Sequence, residues 1–563
     1  MAAGTFAAMP PTRSRVLAWS ALSGLLWALA WPAIGGLTPL AFVAWLPLLQ
    51  AERLHEQRTP QRPRAFYPYA LLGFLLWNAL CSYWFYLVSE PFGTKALSVG
   101  FPVIGNTLLM GIPWWFRRAV KQRLGARWGH VALIAGWLAF ERLHHDWDLQ
   151  WPWFALGNVF GTRPQWVQWY ELTGMLGGSL WVIAVNLLLF EGLQTWRTAR
   201  AQGLRLLGAG MVVVVLPLGA SRWRYHAYPL PEQGGVEVVV VQPNIDPYKE
   251  KFGGVDPLAQ LDRMLALAEG AMTEQTRLVV FPETALQEPA AIDGSSGDLV
   301  FHGLWENDLP ASRSVQRLKA FQALHPQSAL LLGMSSDRWF KGDGDRPSTA
   351  RPIRGSAYWY ESYNAALWMP AQGDAEAYHK SKLVAGVELM PFEEVLGPLG
   401  EFAMDMGGTT GSLGQQRERS VLRDGASGLA VIPAICYESV FGEHLAAHAR
   451  NGGTLIAVMT NDGWWGDSPG YRQHLAFSSL RAIELRRDVV RSANTGISCI
   501  VDQRGAIRQA TGWWVPTAFS ATVHPNAALT FFARHGDLIG RAALGVASAF
   551  LLALLALRLR RPQ

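Results

Sequence analysis

Residues 16–51 form a run of 36 positions with no ionisable side chain. A helix crosses the hydrocarbon core of a bilayer in about 20 residues, so this run is too long for one span. Pro32, Gly35, Gly36 and Pro39 divide it into two. Uncharged runs recur at 66–88, 96–116, 172–190, 206–221 and 542–557, with a weaker one at 128–140. Only 16% of the chain is charged, against roughly 25% in soluble proteins, which excludes an ordinary soluble enzyme.

The positions of Lys and Arg set an orientation, because cytoplasmic connections keep positive charge during insertion. The basic connections are Arg13 with Arg15, then 53–64, 117–127, 197–205, and the tail residues Arg558, Arg560 and Arg561. Connections 117–127 and 197–205 share a side only if an even number of spans lies between them, which promotes 128–140 to a span. Eight spans result, with both termini cytoplasmic. The expected domains are a seven-span unit over 1–221, an outer domain over 222–536, and a final span with its tail over 537–563. Charge divides accordingly: residues 1–230 carry 19 Lys/Arg and 8 Asp/Glu, and the remainder carries 30 and 35. The basic pI is therefore a membrane-loop effect and implies no nucleic acid. Arg13 and Arg15 before Ala28-Leu29-Ala30 resemble a signal peptide, but a second apolar run follows at once, so an uncleaved span is expected. The 26 tryptophans, dense in and beside these runs, suit interfacial belts, with a Trp-rich packed core as the alternative for any one of them.

From Val236 the pattern changes. Residues 236–241, 278–281, 329–332, 429–435 and 455–459 read as buried strands, each rich in Val, Ile or Leu and bounded by polar residues. Leu258, Leu261, Leu265 and Ala268 keep helical spacing, as does 475–485. Strand and helix alternation predicts an α/β layered domain, with 356–370 and 518–523 as further strands. The connections 286–313, 340–356 and 391–420 exceed the usual loop length, as functional lids or disordered segments do. Three cysteines, Cys81, Cys436 and Cys499, cannot all pair, so no disulfide framework is expected.

Three reactive residues sit at strand ends. Glu283 follows 278–281, where a carboxylate suits general-base work; a helix N-terminal acid after Pro282 is the plain alternative. Lys380, in Tyr378-His379-Lys380-Ser381-Lys382, could stabilise an oxyanion or be a solvated lysine. His379, with no orienting carboxylate in a recognisable motif, reads as structural. Cys436 follows 429–435 and opens Cys436-Tyr437-Glu438-Ser439, where the backbone N–H groups of a starting helix hold an oxyanion and favour a thiolate; a small buried cysteine is the alternative, and it is the reading for Cys81 and Cys499.

Together, Glu, Lys and Cys, separated by 97 and 56 residues, are far more specific than any one alone. The arrangement resembles the nitrilase (carbon-nitrogen hydrolase) superfamily over about 236–525, including Gln242-Pro243-Asn244-Ile245, Asn461-Asp462-Gly463-Trp464 and Arg491-Ser492-Ala493-Asn494-Thr495-Gly496. With seven apolar spans before it and one after, the whole pattern resembles the membrane-anchored apolipoprotein N-acyltransferase family. Two departures stand out: Ala385-Gly386-Val387-Glu388 replaces a common Pro-Phe-Gly-Glu, and Phe252 follows Lys251 where many members have Trp.

The resemblance implies an αββα sandwich joined to the helical domain. It also implies phospholipid-dependent N-acylation of the diacylglyceryl-cysteine of apolipoproteins through a thioester on Cys436. Glu283, Lys380 and Cys436 are then catalytic, and Glu388, Tyr437, Glu438, Trp464 and Phe252 supporting or substrate-side residues. Trp151-Pro152-Trp153 and Gly157 line lipid entry or anchor at the interface. Implied partners are a phospholipid donor, phosphatidylethanolamine foremost, the apolipoprotein acceptor and the bilayer, around a monomer in the bacterial inner membrane with its catalytic domain periplasmic. No cofactor or metal is expected. The rival readings are a membrane-tethered amidase and a non-catalytic lipoprotein-binding scaffold.

Overall fold

The computed structural model describes residues 11–59, 63–88, 99–251, 254–293, 300–342, 344, 346–392 and 412–559. Phe252, Arg560, Arg561 and residues 393–411 of the third long connection lie outside them. The helical part comprises α1 Arg13–Ala30, α2 Leu46–Arg58, α3 Tyr67–Ser82, α4 Asn106–Leu124, α5 Ala126–Leu143, α6 Met175–Trp196 and α7 Arg200–Ala227. A last helix, Leu538–Leu559, packs against α5. By length and composition, four described segments could cross a membrane: Tyr67–Leu87, Met175–Trp196, Arg200–Ala227 and Leu538–Leu559. The bundle is compatible with a membrane domain, and it falls short of the expected eight spans on those criteria.

Two expectations change for a physical reason. Arg117, Arg118, Lys121 and Arg123, expected in a connection, lie inside α4, and only Gly125 separates α4 from α5. The helix tolerates them because α2 presents Glu52 and Glu56. Arg117 pairs with Glu52, Arg118 lies 3.1 Å from it, and Lys121 is 2.9 Å from Glu56. Glu52 and Arg117 are almost fully buried. Similarly, many of the tryptophans fill the core instead of forming belts. Trp27, Trp31, Trp45, Trp77, Trp84, Trp114 and Trp137 are all under 2% exposed, and Trp27 stacks on Trp77 with centroids 4.7 Å apart. The close approach of α1 and α3 makes this possible, since a Cβ on Gly24 would strike the Gly73 carbonyl oxygen.

The second part is an αββα sandwich, as expected. Its strands are β1 Val236–Gln242, β2 Thr276–Val280, β3 Ala329–Lys341, β4 Tyr358–Met369, β5 Glu376–His379, β6 Leu422–Arg423, β7 Ala430–Ile435, β8 Leu455–Thr460, β9 Val489–Ala493, β10 Cys499–Val501, β11 Ile507–Ala510 and β12 Thr517–Val523. One sheet runs β12-β1-β2-β3-β4, with β5 and a short strand beside β4, and the other runs β11-β10-β9-β8-β7-β6. Val238, Val240, Leu278 and Leu331 from the first sheet meet Val431, Leu455 and Met459 from the second, forming a dry layer between them. Alternate residues of the first sheet pack under Pro257–Ala271 and Arg313–Leu324, and those of the second under Gly442–Arg450 and Pro469–Leu485. These helices start where the sequence marks them: Asp256 and Ser468 accept bonds from Ala259 N–H and Gly470 N–H, each before a proline. The connection 286–313 is structured where described, with the pair Ala291–Asp293 and Val300–His302 and the helical turn Glu306–Ala311.

The Glu52 cluster yields a direct expectation. Glu52→Leu strands Arg117 and Arg118 without their buried partner, so stability should fall by about 3–5 kcal/mol. Thermal unfolding in detergent measures this, and an unchanged Tm would show that the ion cluster contributes nothing.

Candidate active site

Parallel strands β2, β7 and β8 end at one rim of the sandwich. Glu283 leaves the end of β2, Cys436 follows β7 directly, and Asn461 follows β8 directly. Lys380 is the first residue after β5. Because side chains alternate along a strand, Lys380 turns into the site while its neighbour His379 turns away. His379 Nε2 lies 2.8 Å from Glu306 Oε2, and its ring stacks on Tyr363. It does have a carboxylate partner, on a segment no local motif connects to it.

Glu283 is 6% exposed and held from three sides. Its Oε1 accepts Asn364 Nδ2 at 2.8 Å and faces Lys380 Nζ at 3.4 Å, and its Oε2 accepts Asn461 N–H at 3.1 Å. Lys380 Nζ donates to Glu388 Oε1 at 2.8 Å, and the same Asn364 amide donates to that oxygen. One ammonium and one amide thus bridge two carboxylates. Burial works against the Lys380 charge, but Glu388 and then Glu283 outweigh it, so the ammonium is held more firmly than in water. The backbone of the Gly386 turn is held too: Val384 N–H donates to Glu388 Oε2 at 2.8 Å, which seats Glu388 despite the unusual residues preceding it.

Cys436 is half-buried and carries a φ of 50°, a left-handed conformation that costs an ordinary residue about 1–3 kcal/mol. Burial first and the Glu283 charge second push its thiol well above the usual value, with Lys380 opposing. The resting group is a thiol that needs a base, not a preformed thiolate. Tyr437 follows at the start of the helical turn Cys436–Val440, where early N–H groups lack intrahelical acceptors. Its hydroxyl donates to the Gln150 carbonyl, and its ring lies along Trp151. Glu438 is fully buried and accepts from Tyr378 OH, Ser381 N–H and Ile435 N–H at 2.7–2.8 Å. That geometry ties the Cys436 turn to the Lys380 segment and gives Glu438 no face toward a substrate. Trp464 is half-buried and packs edge-on against Tyr248 at 5.3 Å. Phe252 lies outside the described residues.

Several site groups escaped the sequence reading. Lys251 Nζ donates to the Glu283 carbonyl at 2.8 Å, and burial brings its pKa down to about 7 against the pull of Glu283 and Cys436. Asn364 is a lone amide beside the apolar end of β4. The strained Cys436 carbonyl accepts Ser439 Oγ at 2.7 Å and lies 3.0 Å from His474 Nε2. His474 Nδ1 is 3.0 Å from Asp462, which Arg491 also holds at 2.6 Å. Ser439, Asp462 and Arg491 lie in short runs already marked in the sequence, whereas His474 lies in none of them.

Comparison with known proteins now decides the lineage. The carbon-nitrogen hydrolase family model matches residues 237–528, more than half of the chain. The chain belongs to the carbon-nitrogen hydrolase family. A second family model, the apolipoprotein N-acyltransferase N-terminal domain, matches residues 23–188. The apolipoprotein N-acyltransferase of Chlorobaculum tepidum is 29% identical over 94% of this chain and 95% of its own length. That of Geobacter metallireducens is 26% identical over 97% and 96%. Among solved structures, an amidase from Nesterenkonia sp. is 16% identical, covers 56% of this chain and 99% of its own, and has a TM-score of 0.35.

Two outcomes follow from this geometry. His474→Ala should release the Cys436 carbonyl and lower kcat by about 100-fold, the usual cost of a slightly misplaced reacting group, while KM stays near its original value; an equal change in KM alone would deny the positioning role. Glu438 supplies a pH signature. Burial opposes its charge, but His444 and the N–H groups of Ile435 and Ser381 prevail and hold its pKa at about 2 against an ordinary 4.5. Its contribution is complete above pH 4.5 and lost as pH falls toward 2. Glu438→Gln should therefore cost about 3 kcal/mol at pH 7 and flatten the acid limb of stability, and parallel acid limbs in the two proteins would refute this.

Proposed function

We propose that the chain is a membrane-anchored acyltransferase that N-acylates the N-terminal diacylglyceryl-cysteine of apolipoproteins. The acyl group comes from a phospholipid, phosphatidylethanolamine foremost, through a thioester on Cys436. The observation that carries this reading is the seat of the nucleophile. Tyr437, Val440 and Phe441, on the turn opened by Cys436, belong to the same buried cluster as Trp151, Trp153 and Phe154 of the helical domain. Trp465 extends it through edge contacts with Trp84 and Trp153. A thiol at the aromatic end of an apolar bundle suits substrates that lie in a bilayer, and a hydrolase of small soluble amides has no need of it.

In the first step Glu283 takes the Cys436 proton as sulfur attacks the ester carbonyl. Lys380 and the Tyr437 N–H stabilise the tetrahedral oxyanion, a donor of this kind lowering a barrier by about 3–4 kcal/mol. The C–O bond breaks, the lysophospholipid leaves with the proton from Glu283, and the thioester remains. The α-amine of the lipoprotein then attacks, Glu283 accepts its proton and returns it to the Cys436 sulfur as the C–S bond breaks, and the amide and the free thiol result. Glu388 and Asn364 hold Lys380 and Glu283 in place, with Lys380 Nζ 3.4 Å from Glu283 Oε1. Trp464 is assigned to the substrate side, and Phe252, outside the described residues, keeps the supporting role that the family resemblance implies.

The architecture of this reading is eight spans, with domains over 1–221, 222–536 and 537–563. The catalytic domain is periplasmic, both termini are cytoplasmic, and the enzyme is a monomer in the bacterial inner membrane. Arg13 opens α1, Arg123 lies in the last turn of α4, Arg200 opens α7 and Arg558 lies in the last turn of Leu538–Leu559, so the basic positions gather at the end of the bundle away from the sandwich, which supports that orientation.

Intact-protein mass spectrometry after incubation with phospholipid tests the chemistry. Wild type should gain one acyl mass on Cys436 and lose it when a lipoprotein amine is supplied, and Cys436→Ala should gain none. Turnover of small amides by a protein that never becomes acylated would favour the amidase, and unchanged lipoprotein acylation by Cys436→Ala would overturn the mechanism.

A further inference from the structure

A cavity of about 190 Å³ opens at the basic end of the bundle, between α3, α4 and the last helix, Leu538–Leu559. It plays no part in the chemistry above, since the Cys436 turn packs at the other end, beside Trp151 and Trp153. Its walls are apolar and aromatic, formed by Tyr67, Trp115, Leu551 and Leu555, and its rim carries Arg123 and Arg558. Trp115, Leu551 and Leu555 are exposed, so the walls open outward from the bundle.

The charges at this rim are not alike. Arg118, also in the lining, is committed to Glu52 at 3.1 Å and Glu56 at 3.8 Å. Arg123 Nη1 donates to the Leu554 carbonyl at 2.7 Å, a neutral acceptor that leaves its charge uncompensated. Among the described residues neither Arg123 nor Arg558 has a carboxylate partner, and no acidic residue lines the cavity. A cationic rim above an apolar slot at the basic end of the bundle matches one ligand chemistry. The phosphate of a lipid pairs with guanidinium groups while its acyl chain lies along the aromatic and leucine wall.

We propose that this cavity binds an anionic phospholipid as a resident lipid, separate from the acyl donor. The anionic class follows from the same charges: the ammonium of a zwitterionic headgroup would meet Arg123 and Arg558, whereas a phosphatidylglycerol headgroup brings no cation. A bound headgroup would bridge α4 to the terminal helix, reinforcing the Arg123 to Leu554 bond that already joins them. The proposal rests on the bundle lying in a bilayer and not on the chemistry at Cys436.

Native mass spectrometry of the full chain, delipidated and re-equilibrated with equal amounts of phosphatidylglycerol and phosphatidylethanolamine, tests it. Wild type should retain phosphatidylglycerol over phosphatidylethanolamine by about tenfold. The Arg123→Gln/Arg558→Gln double variant should lose that preference while still forming the acyl-enzyme at Cys436 with an added phospholipid donor. If the double variant does not fold, Arg558→Gln alone, at an exposed position of the final turn, should reduce the preference. Equal retention of the two lipids by wild type would mean that bulk lipid fills the cavity, and an undiminished preference in the variants would place any anionic site elsewhere; either overturns the proposal. Displacement of bound phosphatidylglycerol by inorganic phosphate would also overturn it, by showing a phosphate site without a lipid role. Loss of acylation in wild type with the lipid preference intact would count against the acyltransferase reading alone.

Discussion

The interaction on which the rest depends is the desolvated bridge of Lys380 and Asn364 between Glu283 and Glu388. Two carboxylates brought together out of water repel each other and lose their hydration. One ammonium at 2.8 Å from Glu388 and 3.4 Å from Glu283, together with a single amide donating to both, makes the pair tenable. The arrangement fixes how Cys436 behaves. Burial and the neighbouring carboxylate push its thiol well above the usual value, so in the proposed mechanism nucleophilicity arises when Glu283 takes that proton during attack. A thiol guarded in this way is inert until an acyl group arrives.

Supporting that bridge requires rigidity from both sides of the sandwich. Glu438 ties the turn after β7 to the segment after β5 through three donors, and the His474, Ser439 and Asp462 group holds the strained carbonyl of Cys436 from beneath. Tyr437 extends the same turn into the aromatic layer of the helical domain. The position of Cys436 and the attachment of the sandwich to the bundle are therefore properties of one five-residue turn, Cys436–Val440.

Much of this was legible in the sequence because it is local. Strands β1, β7 and β8 and the helices Pro257–Ala271 and Pro469–Leu485 follow from periodicity, capping and proline placement within short windows. The order of Glu283, Lys380 and Cys436 at strand ends drew the site together. What stayed hidden is non-local. Arg117 looks like a loop residue until α2 places Glu52 against it, 65 residues earlier. Trp27 and Trp77 look like belt residues until Gly24 and Gly73 let their helices close. Asn364 and His474 carry no signal, because each is one polar residue in an ordinary context, and Lys251 is marked only as the neighbour of Phe252.

The sequence by itself determined that apolar helices flank an α/β domain, and it selected the three reactive residues, since hydrophobic periodicity and strand-end chemistry are written within a few residues of chain. Only the tertiary structure decided which carboxylate faces which cation, how burial acts on a thiol, and which arginines lack a carboxylate partner among the described residues at the far end of the bundle. Those depend on desolvation and on distances of a few ångströms between segments far apart in the chain, and neither quantity exists until strands and helices have chosen their neighbours.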